Sequence, residues 1–186
     1  ATLCDPKLCK HTVYPKLNKS WDVKDLLKEI ANGPFHALID TGALITGKSN
    51  REVAAFLLSH GLGVWCDGVV FLDENDEKMI LVKATGRVLK LSQCGIALEK
   101  RFAFYDQIHT TGMDIRHVVN ATALITLGKD MVWRDYAQGA YRMRGIGKGQ
   151  TIELLITPEI SHLIRTDLRK LPPGVKVPRG ASASLS

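Results

Sequence analysis

Apolar positions along this chain recur in two rhythms. Val23, Leu26, Leu27, Ile30 and Ala31 return every three or four residues, which predicts one face of a helix capped by Ser20 and stopped at Gly33. Val53, Phe56 and Leu57 repeat the spacing behind Ser49-Asn-Arg-Glu52, a capping box, with Gly61 and Gly63 beyond the far end. A third helix is expected to start on Asp130 and to turn Trp133, Ala137 and Tyr141 inward. A fourth follows Thr157-Pro158, a hydroxyl cap with proline in the first turn. Between them lie short apolar runs at 35–39, 69–72, 101–105, 121–127 and 151–156, which read as buried strands. Residues 78–83 and 87–91 alternate as two strands joined through Gly86, after an acidic turn at 73–77. Strands alternating with helices predict an α/β fold with a mostly parallel sheet flanked by helices. Ligands of such sheets collect at the carboxyl ends of the strands, which would place Asp40, Asp73, His109 and Gln138 along one rim. Residues 1–19 show no periodicity and read as a lead-in, 20–170 as the α/β domain, and 171–186, rich in Pro, Gly and Ser, as a disordered tail.

Composition narrows the classes. Twenty-five basic against 19 acidic residues give a net charge of +6, which suits an anionic partner such as a nucleotide or nucleic acid. The basic residues are scattered, so charge alone selects no site. No run approaches the roughly 20 apolar residues that cross a bilayer, so no membrane partner is expected. The opening shows no signal-peptide pattern, and it starts on Ala1 rather than Met, as a fragment or processed piece would. Cys4, Cys9, Cys66 and Cys94 are too few and too spread for a disulfide framework, which predicts a reducing compartment, cytoplasmic or nuclear. Cys4-x4-Cys9-x-His11 has half the form of a metal clip and lacks the second pair of ligands.

Three sets of residues could carry chemistry. Gly42-Ala-Leu-Ile-Thr-Gly47-Lys48-Ser49 matches the phosphate-loop pattern and lies between a strand and a helix. With Asp73 after an apolar strand, it would put Lys48 on a phosphate of ATP and Ser49 and Asp73 on Mg. Bulky Leu44, Ile45 and Thr46 count against it, because such loops must curl tightly around an anion, and Asp73 also reads as part of a solvated turn. The second set is Gln138-Gly-Ala-Tyr-Arg142-Met-Arg144-Gly, with Gly112-Met-Asp114-Ile upstream. Gln138 and Arg142 share a helix face, and guanidinium forks held beside glycines suit a phosphate chain. The plainer reading makes Arg142 and Arg144 helix-end cations and Asp114 a residue of a helix's first turn. The third set is a thiol, Cys66 or Cys94, with His109 or His117 as base; buried cysteines are usually small hydrophobes.

The order of the Asp114 and Arg142 segments resembles motifs V and VI of the second RecA-like lobe of superfamily-two helicases and SecA-type motors. Residues 37–47, 65–73, 104–114 and 135–145 also resemble one region of a eukaryotic family of very large proteins of unknown function, often labelled ubiquitin hydrolases. The resemblance implies a RecA-like, P-loop NTPase-like lobe whose Asp114, Gln138, Arg142 and Arg144 face an ATP and Mg site shared with an upstream lobe. That upstream lobe carries the family's own phosphate loop, and the motor's track would be nucleic acid or polypeptide. The family label implies instead a thiol-dependent ubiquitinyl hydrolase, with ubiquitin as partner. One departure from the helicase pattern is evident. The second arginine usually stands three residues beyond the first, where this chain has Gly145, so Arg144 comes one position early.

Overall fold

Strand β6 (Arg101–Tyr105) shows why this chain forms layers. Phe102 and Phe104 point to one side and Ala103 and Tyr105 to the other, and all four are at most 2% exposed. Both faces of the sheet must therefore be covered, as in parallel sheets generally. The computed structural model describes residues 2–5, 7–13, 20–109 and 114–172, without the side chains of residues 2 and 11–13. The expected tail lies almost wholly outside these residues.

The strands are β1 (Cys9–Val13), β2 (Ala37–Ile39), β3 (Gly68–Leu72), β4 (Lys78–Val82), β5 (Val88–Lys90), β6, β7 (Thr122–Thr126) and β8 (Thr151–Ile156). They form one eight-stranded sheet in the order β1-β8-β7-β2-β6-β3-β4-β5. The first six positions run parallel, and the β3-β4-β5 meander makes an antiparallel edge. The fold is thus α/β with a mostly parallel sheet, as the alternation predicts.

Helices α1 (Val23–Ala31) and α2 (Asn50–Ser59) cover one face. There Leu26, Leu27, Ile30, Val53 and Leu57 pack on Leu38, Phe102, Phe104 and Leu124. Each such side chain contributes about 1.5–3 kcal/mol by leaving water. Helix α3 (Trp133–Ala140) covers the other face, with Tyr136, Ala140 and Met143 against Ile39, Tyr105 and Ile125. Helix α4 (Pro158–Arg169) follows β8 and shares an apolar groove with α3.

Several expectations shift on the structure. Residues 9–13, inside the expected lead-in, form β1 and pair in parallel with β8. Backbone pairing, which leaves no mark in a polar five-residue run, holds this strand. Helix α1 is capped by Asp22 rather than Ser20, with Asp25 completing the capping box. The capping box at Ser49 and the hydroxyl cap at Thr157, with Pro158 after it, stand as expected. Helix α3 begins later than Asp130, and the Asp135 carboxylate accepts the Val132 N–H at 3.0 Å. The helix is also turned: Trp133 and Tyr141 are 60% and 56% exposed, while Tyr136 is buried. Positions 133, 137, 141 and 136, 140, 143 both fit a helical period. The second set wins because the Tyr136 hydroxyl donates to the Leu3 carbonyl at 3.2 Å and meets the Cys9 thiol at 3.1 Å.

Candidate functional site

The connection from β2 to β3 passes through α2 on one face, and that from β7 to β8 runs the opposite way through α3 on the other. Neighbouring strands β2 and β7 therefore send their chains apart at their carboxyl ends, the arrangement that opens a ligand crevice. A crevice of about 360 Å³ lies there, lined by Thr41, Gln107, Lys129, Asp130 and Gln138 among others. Its floor is glycine on both sides. A Cβ on Gly42 would stand 2.6 Å from the Gly128 nitrogen, so only glycines let the two strand exits cross this closely. Gly139 plays the same part in α3, whose backbone approaches the Thr41 hydroxyl.

The phosphate-loop-like run leaves β2 beside this crevice, and its backbone donors turn inward. The Leu44 and Ile45 N–H groups donate to the two carboxylate oxygens of Asp40 at 3.0 and 2.9 Å. The Thr126 hydroxyl donates to Asp40 at 2.7 Å and accepts the Gly42 N–H at 2.9 Å. Burial pushes the Asp40 pKa up, and these hydrogen bonds pull against it. Gly47 adopts a left-handed φ of 71° and faces open space. Lys48 lies over the Phe56 ring, 5.9 Å from its centroid, and the Ser49 N–H and hydroxyl both donate to Glu52. The chain's own carboxylates thus hold the Leu44, Ile45 and Ser49 donors, while Lys48 and Ser49 line the same cleft of about 440 Å³ as Asp73.

Asp73, placed with magnesium by the sequence pattern, accepts the Asn75 and Glu77 N–H groups, both at 2.9 Å. It shapes the turn between β3 and β4. Across that cleft stands His109, one ring nitrogen 2.6 Å from Asp106 and the other 3.2 Å from Asp76. Asn50 joins this cluster by donating to Asp106 at 3.1 Å and to the Leu72 carbonyl at 2.9 Å. The exits of β3 and β6 and the start of α2 are thereby tied together. Among the described residues no group of three or more His, Cys, Asp or Glu is placed to hold a metal ion.

The arginine segment sits on the α3 face. Arg144 donates through Nε at 3.0 Å and through a terminal nitrogen at 2.8 Å to a single oxygen of Asp114, with both side chains well exposed at 66% and 59%. Two segments 30 residues apart in sequence are thus neighbours at the surface. Asp114 belongs to an irregular stretch, not to a helix start. Arg142, in contrast, is buried, with its guanidinium 5.9 Å from the centre of the Tyr105 ring. Tyr105 is held in turn by His117, whose Nε2 lies 2.9 Å from the phenol oxygen. Gln138 lies one turn before Arg142 and reaches the crevice instead. Gln150 was not singled out by the sequence pattern. Its amide accepts the Gly145 N–H at 2.7 Å and donates to the Val118 carbonyl at 3.0 Å, clamping the loop that follows Arg144.

The thiol residues do not meet a base. Cys66 is fully buried before β3, donates to the Gly68 carbonyl at 3.1 Å, and has its pKa pushed up to about 11 by burial. His109 lies past the opposite end of the sheet, after β6. Cys94 accepts the Ile96 N–H at 3.4 Å in the connection between β5 and β6. His117 is committed to Tyr105. Cys4 is exposed and Cys9 half-buried against Tyr136, while the His11 side chain lies outside the described residues.

Comparison with protein-family models, with curated proteins and with solved structures finds no match to this chain. Among the described residues no helix is long and apolar enough to cross a membrane.

Proposed function

We propose that this chain is the second RecA-like lobe of a helicase- or translocase-like ATPase, and that its ATP and Mg are gripped mainly by an upstream lobe of the same polypeptide. The observation that carries this reading is the exposed Arg144–Asp114 pair. The guanidinium stays charged, and Gln150 holds the backbone of the loop just behind it through the Gly145 N–H. Its exposed partner can release it when a stronger anion arrives, because an exposed ion pair is worth only about 0–1 kcal/mol. Arg144 is therefore the arginine that reaches a nucleotide held opposite. Buried Arg142 is a positioning residue, stacked on Tyr105 beneath that loop. Asp114 orients Arg144, and Gln138 lines the crevice at the exits of β2 and β7.

ATP bound between the lobes would supply the phosphoanhydride. This lobe's own contribution is positive charge aimed at the transferring phosphoryl group. The isolated chain is expected neither to bind ATP tightly nor to hydrolyse it. In the polypeptide that includes the upstream lobe, Arg144→Ala should lower kcat by about 10³–10⁵-fold with a much smaller change in ATP affinity. Steady-state ATPase assays with an ATP-binding titration separate the two quantities. An unchanged kcat would remove Arg144 from the reaction and with it this reading. The thiol-hydrolase alternative draws no support from a buried thiol whose pKa is pushed up to about 11 and whose hydrogen bond goes to the Gly68 carbonyl.

A further inference from the structure

In this letter-perfect phosphate-loop sequence the N–H groups of Gly42, Ala43, Leu44, Ile45 and Ser49 are already taken by the chain itself. Ala43 adopts a left-handed φ of 53° although it carries a side chain, a conformation that costs a non-glycine residue about 1–2 kcal/mol. That turn brings the next two N–H groups, of Leu44 and Ile45, round to one point, the concave arrangement that binds anions. The point is filled by the Asp40 carboxylate, 1% exposed, with Thr126 supplying a hydroxyl from β7. Lys48 and Ser49, the residues that would meet phosphate and metal, are turned to Phe56 and Glu52 instead.

We propose that the loop at residues 42–49 is an anion nest that carries its own anion: the Asp40 carboxylate occupies it from within the chain and keeps oxyanions such as nucleotide phosphate out. The nest holds β2, β7 and the lead into α2 together at the crevice floor. Removal of the carboxylate leaves a vacancy of matching charge and shape for a small carboxylate from solution. This inference stands apart from the two-lobe reading, which is tested at Arg144 and would survive its failure.

The test is chemical rescue on the full chain. Asp40→Ala deletes a group the size of formate. The variant should melt several degrees below wild type in sodium chloride. Sodium formate at equal ionic strength, at ten times its dissociation constant, should raise the midpoint by about 3–6 °C. Wild type should melt alike in both salts. Inorganic phosphate in the same assay shows whether the emptied nest also takes a larger oxyanion, and slowed amide exchange at Leu44 and Ile45 of wild type on adding phosphate would overturn the proposal. A variant that melts with wild type, or that gains equally from formate and chloride, would overturn it too. Should Asp40→Ala fail to fold, Asp40→Asn keeps the volume and one acceptor oxygen. Amide hydrogen exchange at Leu44 or Ile45 should then speed up at least tenfold, and unchanged protection at both sinks the idea. Binding of ATP by the wild-type chain that Lys48→Ala abolishes would also sink it.

Discussion

His117 sits beneath the arginine segment, and its protonation state is fixed by its surroundings. Burial, with a smaller contribution from His36, holds its pKa down to about 4. Burial also pushes the Tyr105 pKa upward, so the bond between the two is neutral on both sides. The folded state resists a proton that the unfolded chain accepts near the ordinary value of 6.5. The contribution to stability is therefore complete above that value and declines as pH falls toward about 4. The slope is about 1.4 kcal/mol per pH unit, and the whole effect is on the order of 3 kcal/mol. Urea unfolding at about pH 7 and about pH 4.5 should show wild type losing more stability than His117→Gln. Equal losses would mean that the imidazole is protonated in the folded protein. Since Tyr105 seats Arg142, the same acid range should loosen the arginine segment before the rest of the sheet.

At the scale of elements, the exits of β2 and β7 meet backbone against backbone at Gly42 and Gly128. Gly42→Ala would drive a Cβ into the backbone of Leu127 and Gly128, atoms that cannot move aside as a side chain can. A loss of about 2 kcal/mol or more is expected. Gly47→Ala meets nothing within 4 Å and should cost only the left-handed backbone penalty, about 1–2 kcal/mol. Thermal melting of the two variants side by side checks the order, and a milder Gly42 variant would show that the strand exits can spread. This contrast also explains what the sequence could disclose. Both glycines fit one phosphate-loop pattern, yet one is required by a neighbour 86 residues away and the other by its own φ. Helix starts were legible at Ser49 and Thr157 because a cap is a local bargain between a side chain and an N–H three residues on. Buried strands were legible from their apolar runs. The facing of α3 was not, because two side-chain sets share its period and the choice depends on Leu3 and Cys9. The Asp40 nest was equally hidden: nothing in Asp40-Thr-Gly-Ala says that the carboxylate will fold back onto the next turn. The resemblance implied only that Asp114 and Arg144 face one site; their ion pair was not legible, since a separation of 30 residues carries no spacing rule.

Across the whole molecule, the sheet depends on its two edges. The β3-β4-β5 meander ends one of them in a short, partly exposed strand. The other is closed by β1, which covers β8 along five residue pairs, Cys9 opposite Ile152 through Val13 opposite Ile156. The same segment delivers Leu3, 6% exposed, to the core beside Tyr136, whose hydroxyl has both its partners there. Deleting residues 1–13 would therefore remove a buried leucine, leave a buried phenol without an acceptor and bare the edge of β8. The first two losses together amount to about 3 kcal/mol or more. That corresponds to a fall in melting temperature of about 6 °C or more for a chain of this length. The third loss acts differently. An uncovered parallel strand with alternating apolar residues invites pairing with another copy. The truncated chain should accordingly elute as dimers or larger species when its concentration is raised, while the intact chain does not change with concentration. Light scattering on a sizing column, run with the melting curves, distinguishes the two consequences. A truncated chain that melts with the intact one and stays the same size would mean that β8 tolerates exposure and that residues 1–13 are a lead-in after all. The expected result makes them the outermost layer of the fold.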